Sequence, residues 1–95
     1  MPAYIIVQVE VTDPETYKTY AAQVAPILEQ YGGEFVVRGG AMEVLEGDWP
    51  YPRVVVLKFP DMERAKAWYN STEYADLKKL RQSASKGNLI FADGA

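Results

Sequence analysis

Ile5, Val7, Val9 and Val11 alternate with Tyr4, Ile6, Gln8 and Glu10 near the start of the chain. A period of two predicts a strand over Ala3–Val11 with one aliphatic side. The period then changes. In "TDPE", Asp13 is placed to cap a helix, Pro14 suits its first position, and Glu15 sits beside the positive end of the dipole. Tyr17, Tyr20, Ala21, Val24, Ile27, Leu28 and Tyr31 follow at three-four spacing and make one apolar stripe. Pro26 interrupts the stripe. An interior proline costs ~3 kcal/mol in a host peptide, so a bend is expected near Ala22–Pro26. Gly32–Gly33 is a helix stop.

Alternation returns over Glu34–Arg38, with Phe35 and Val37 facing inward and Arg38 sharing parity with Glu34 and Val36. Gly39–Gly40 suits a tight turn, which predicts a hairpin strand over Met42–Glu46. After the proline-rich "GDWPYP", Arg53–Phe59 is apolar on both faces and reads as a strand buried on both. Asp61 caps a helix running to about Tyr69. "NSTE" restarts a helix, with Asn70 or Ser71 as cap and Glu73 reaching back. That helix presents Tyr74, Leu77, Leu80, Arg81 and Ala84. Gly87 ends a linker, and Asn88–Ala92 is the last strand.

Strand, helix, strand, hairpin strand, strand, split helix, strand is the ferredoxin-like plan. It is an α+β fold in which an antiparallel sheet carries helices on one face. The other face holds Tyr4, Ile6, Val36, Val54 and Val56 with Gln8, Glu10 and Arg38. That face is too apolar for water, so a homodimer joined sheet to sheet with two-fold symmetry is expected.

Composition narrows the chemistry. Ninety-five residues make one domain. The net charge of −3 argues against a nucleic-acid module. "KK" at Lys78–Lys79 with Arg81 is a short basic patch on an acidic chain. No run is apolar enough for a bilayer and no signal segment opens the chain, so a cytoplasmic location is expected. There is no Cys and no His. That removes the thiolate nucleophile, cysteine zinc sites and the usual neutral-pH base. Glu43, Glu46 and Asp48 lack the spacing of a metal site. The reading calls for no metal and no cofactor.

"VTDPETYKTYAAQVAPILEQYGGEFVVRGG", "EVLEG", "VVVLKFPDMERAKAWYNSTEYADLKKLR" and "GNLIFADG" together cover nearly the whole chain. They resemble the family known as domain of unknown function 1330. The resemblance implies the dimeric α+β barrel superfamily. That superfamily includes cofactor-free monooxygenases, muconolactone isomerases and haem-binding members. With no histidine in the chain, the His–Asp arrangement of some barrel relatives and a histidine haem ligand are both ruled out.

Several side chains remain as candidates. Arg38 reads either as a guanidinium fork for a carboxylate or enolate, or as a structural ion pair with Glu10 or across the dimer. The expectation here is the sheet face at or near the dimer interface. Tyr17, Tyr20, Tyr69 and Tyr74, with Trp68, lie on or beside the helix faces toward the sheet. They frame either a partly wet cleft for a planar organic molecule or amphipathic packing with hydroxyls turned outward. Arg81 either reaches the rim or closes a pocket, and the rim is expected. Asn70 and Ser71 read as caps. Three functions follow. One is a metal-free enzyme, an isomerase or monooxygenase, with Arg38 or Arg81 on an oxyanion and a tyrosine or Glu10 moving the proton. The second is a ligand-binding or sensing dimer using the same cleft. The third is a structural dimer with a filled core.

Overall fold

The computed structural model describes Met1–Ala95. Its elements are β1 (Ala3–Val11), α1 (Pro14–Gln30), β2 (Glu34–Arg38), β3 (Arg53–Phe59), α2 (Met62–Tyr69), α3 (Thr72–Ala84) and β4 (Ser85–Asp93). The strands form one antiparallel sheet in the order β2-β3-β1-β4. This is the α+β ferredoxin-like fold, with three helices against one sheet face. No helix is long and apolar enough to cross a membrane.

Local chemistry sets the helix ends. The Asp13 carboxylate accepts from the Thr16 N–H at 3.3 Å and from its hydroxyl at 2.7 Å. These bonds hold its pKa below the ordinary carboxylate value, the Thr16 hydroxyl most of all. Asp61 caps α2 by accepting from the Arg64 N–H at 2.8 Å. Ser71 separates α2 from α3. Its hydroxyl donates to the Trp68 carbonyl at 2.7 Å and accepts from the Tyr74 N–H at 3.2 Å. Asn70 is therefore the C-cap of α2, and the cap of α3 is Ser71. The Glu73 carboxylate accepts from the Tyr31 hydroxyl at 2.9 Å and ties α1 to α3. α1 continues through Pro26, whose side chain is exposed.

The core lies between the helices and the sheet. Trp68, Tyr74, Phe59, Ile5, Leu28 and Val9 are its largest fully buried side chains. Ile5, Val7 and Val9 reach it from β1, and Val55, Leu57 and Phe59 from β3. Val54 and Val56 are only half-buried, so β3 is not covered on its second face.

Three further sequence expectations change. Met42–Glu46 forms no strand. β3 takes the place beside β2, and the last rung between them is the Gly39 N–H to the Val54 carbonyl at 2.8 Å. Gly39 has φ +72°, but it opens a long connection rather than a two-residue turn. Met42, Val44, Leu45 and Trp49 are exposed along that connection. Next, β4 begins at Ser85, directly after α3, with no linker. Gly87 lies inside β4 opposite Val9, where an added Cβ would sit 2.3 Å from the Gln8 carbonyl oxygen. Glycine is required there by the close approach of two backbones.

The third change is in β2. Phe35 pairs with Leu57, but Val37 pairs with Val56 and Arg38 with Val55. One residue, Val36, is extra, which is the definition of a β-bulge. Past the bulge the parity inverts. Val37 joins Val56 on the helix-free face, and Arg38 joins Val55 on the helix side. The expected place of Arg38 on the helix-free face is therefore wrong.

Candidate functional site: an arginine-lined cleft between helices and sheet

β2 and β3 each end in an arginine on the helix side, and α3 brings a third. They meet in a cleft under α1 that holds about 560 Å³ of empty space, its open mouth included. Fifteen residues line it and twelve of these are hydrophobic; the other three are Arg38, Arg53 and Arg81. No carboxylate is among them. The walls are thus apolar, and all the formal charge in the lining is positive.

Arg81 is buried, 7 % exposed. It does not reach the rim as expected; it closes the cleft from within. Its Nε donates to the Tyr74 hydroxyl at 3.2 Å, and that hydroxyl lies 2.9 Å from the Tyr20 hydroxyl. Burial works against the charge on Arg81, but the phenol oxygens of Tyr74, Tyr20 and Tyr69 outweigh it and hold the guanidinium above its ordinary value. The phenols shift upward as well. Burial is the main cause at both Tyr20 and Tyr74; at Tyr74 the neighbouring Arg81 pulls the other way. Both therefore stay protonated at neutral pH. The tyrosine hydroxyls turn inward to each other rather than outward to water.

The rings continue the arrangement. Tyr17 lies 5.5 Å from Tyr20, and Trp68 packs on Tyr74 at 4.1 Å between centroids, the rings tilted by 32°. The Arg53 guanidinium lies 5.6 Å from the Tyr17 ring, and that of Arg38 lies 4.1 Å over Phe35. Two buried donors have no partner, Arg53 Nε and Trp68 Nε1, and both residues line the cleft. A buried donor without an acceptor costs on the order of 1–3 kcal/mol.

Of the residues singled out in the sequence, Arg38, Tyr17, Tyr20, Trp68, Tyr74 and Arg81 come together here. Tyr69 does not. It packs edge-on against Phe91 at 5.9 Å with the Lys78 ammonium 3.8 Å from its ring centre. Glu10 is exposed on β1 opposite Lys86 and lies outside the lining. Sequence reasoning missed Arg53. Its signal was present: Arg53 shares parity with Val55, Leu57 and Phe59, so the inward face of β3 begins on a charge.

The donor set decides what the cleft can do. Guanidinium, phenol and indole groups all offer hydrogens, and three positive charges repel a metal cation. Nothing in the lining can take a proton at neutral pH. The site suits an anion or a developing oxyanion.

Comparison with known proteins places the chain by family and fold. A family model described as a domain of unknown function, DUF1330, matches residues 2–95. Among solved structures, the RPA0582 protein of unknown function from Rhodopseudomonas palustris is similar at TM-score 0.81 and 21% identity, with 99% of this chain and 82% of that one covered. A dimeric ferredoxin-like protein of unknown function from Jannaschia sp. CCS1 matches at TM-score 0.76 and 13% identity, over 99% and 100% of the two chains. SnoaB, a cofactor-independent oxygenase from Streptomyces nogalater, matches at TM-score 0.67 and 12% identity, over 99% and 93%. No curated protein matches. At these identities the likenesses establish the fold.

Proposed function

We propose that this chain, which belongs to the DUF1330 family along residues 2–95, binds a small planar organic anion in the cleft between α1, α3 and the sheet. One observation carries the reading: three guanidiniums line an otherwise apolar cleft that contains no carboxylate. Arg81 has a phenol oxygen as its hydrogen-bond partner and no carboxylate beside it in the lining. An incoming carboxylate, enolate or phenolate would add the charged partner the lining lacks, and the aromatic side chains suit a flat body. The test compares benzoate with benzylamine, two rings of one size and opposite charge, by titration calorimetry. Saturable binding of benzoate alone is expected. Equal binding of both, or of the amine alone, would refute the reading.

A catalytic role is narrowed by the same chemistry. The cleft can stabilise an oxyanion but has no base to create one, because Glu10 lies outside it and both buried phenols hold their protons. A reaction here would take a substrate that arrives already ionised. SnoaB carries cofactor-independent oxygenation on a similar fold, which is an analogy of fold alone. Oxygen uptake with electron-rich phenolates would favour catalysis; binding of the same compounds without uptake would favour a sensor.

The protein works as a homodimer joined through the helix-free sheet face. The pairing register aligns Val37, Val56, Ile6 and Ile90 in one row across all four strands. Val37 is 40 % and Ile90 57 % exposed. Beside the row, Asn88 Nδ2 donates to Gln8 Oε1 at 2.9 Å, so two polar side chains of this face already satisfy each other. A second copy is the partner with a matching row. Arg38 belongs to the cleft and is not part of this interface.

A further inference from the structure

Anion binding by the cleft, the reading on which this inference rests, does not fix the shape of the anion. The arrangement of the three guanidiniums does. Arg81 is buried, on α3, which packs toward β4; Arg38 is exposed, on β2, at the opposite edge of the sheet. Arg53 is half-buried at the start of β3, next to β2. The cleft therefore has a positive floor and a positive mouth.

Apolar surface joins the two ends. From Arg53 the contacts run to the Tyr17 ring at 5.6 Å, on to Tyr20 at 5.5 Å, then through the paired hydroxyls at 2.9 Å to Tyr74, and from there to Arg81 at 3.2 Å. Two residues of the lining, Arg53 and Trp68, also carry a buried donor without a partner.

The mouth is held in place by the backbone. An added Cβ on Gly39 would lie 2.3 Å from Arg53 Cζ, so the Arg53 guanidinium occupies the space a side chain would fill. Gly39 also has φ +72°, a conformation glycine adopts without strain. Arg53 is packed against this glycine and lines the cleft.

We infer that the ligand is a planar molecule with oxygen anions or strong oxygen acceptors at both ends, of the aromatic dicarboxylate or hydroxyaromatic carboxylate class. One carboxylate meets Arg81 at the floor; the second oxygen group meets Arg53 and Arg38 at the mouth.

The experiment titrates benzoate and terephthalate, which differ by one para carboxylate, into the wild type, Arg53→Gln and Arg38→Ala. Arg38 is exposed, so its variant tests the mouth even if Arg53→Gln fails to fold. A charge-assisted hydrogen bond predicts terephthalate binding at least about tenfold tighter than benzoate in the wild type. On the same basis, each mouth variant should weaken terephthalate by about tenfold and benzoate by less than about twofold. If benzoate binds and terephthalate binds no tighter, or if the variants weaken both equally, the two-ended ligand is overturned while anion binding stands. If neither acid binds the wild type, anion binding itself falls and this inference falls with it.

Discussion

Replacing Tyr74 by Phe removes one oxygen atom from the centre of the buried network. That oxygen accepts from Arg81 Nε at 3.2 Å and lies 2.9 Å from the Tyr20 hydroxyl. The ring is retained, so its packing on Trp68 at 4.1 Å survives and no cavity opens. What is lost is hydrogen bonding. A bond to a charged group contributes about 1.5–3 kcal/mol, and a neutral one about 1. The two together give an expected loss of about 2–4 kcal/mol. For a chain of this size that lowers Tm by about 10–25 °C. Tyr20→Phe is the control. It removes the other half of the hydroxyl pair but leaves Arg81 bonded to Tyr74, so a loss of about 1 kcal/mol is expected. Urea unfolding at one fixed protein concentration measures both, and Tyr20→Phe/Tyr74→Phe closes the cycle. In the double variant the loss should fall short of the sum, because the shared bond is removed only once. Equal losses from the two single variants, or a loss below about 1 kcal/mol for Tyr74→Phe, would show that Arg81 does not depend on Tyr74 for its partner.

Further outcomes follow from the same geometry. Burial raises the pKa of both Tyr20 and Tyr74. The unfolded chain releases these protons near pH 10 and the folded chain keeps them. Their contribution is therefore fully present below about pH 10 and is lost as pH rises beyond it, by up to about 1.4 kcal/mol per unit for each phenol. Unfolding curves from pH 8 to about 11 should show this decline, and Tyr20→Phe should lessen it; an unchanged slope would contradict it. Gly87→Ala places a Cβ against the Gln8 carbonyl oxygen and should cost about 1–3 kcal/mol by overpacking, read from the urea midpoint. Ile6→Lys puts a charge in the middle of the four-strand apolar row. It should give a folded monomer by sedimentation, whereas Arg38→Ala should leave the dimer unchanged; the reverse pattern would return Arg38 to the interface.

The fate of Arg38 marks how far the sequence alone could go. Strand faces were legible wherever alternation ran unbroken: Ile5, Val7 and Val9 point inward in the structure as their parity requires. Helix starts were legible because Asp13, Asp61 and Ser71 each carry their own capping chemistry. In β2 the alternation runs through Phe35, Val36 and Val37, three residues equally at home on either face. A bulge there changes no residue type, yet it inverts every position after it. That inversion moves Arg38 from an interface into a cleft. Met42–Glu46 failed for a related reason. Alternation describes what a strand would bury, not whether it pairs: β2 pairs with β3 and keeps its outer edge free, yet Met42–Glu46 does not take that edge. Arg81 was misplaced because long-range partners are invisible locally: Tyr74 lies seven positions away on the same helix, but Tyr20 comes from α1. Arg53 is legible only when the inward face of β3 is followed beyond its apolar members. Continuing the inward face of β3 back by two residues from Val55 reaches Arg53. A charged residue on an otherwise apolar inward face must be neutralised by a partner, reach water at the rim, or face a space that a ligand can fill. Here its Nε has no partner, and the space is present.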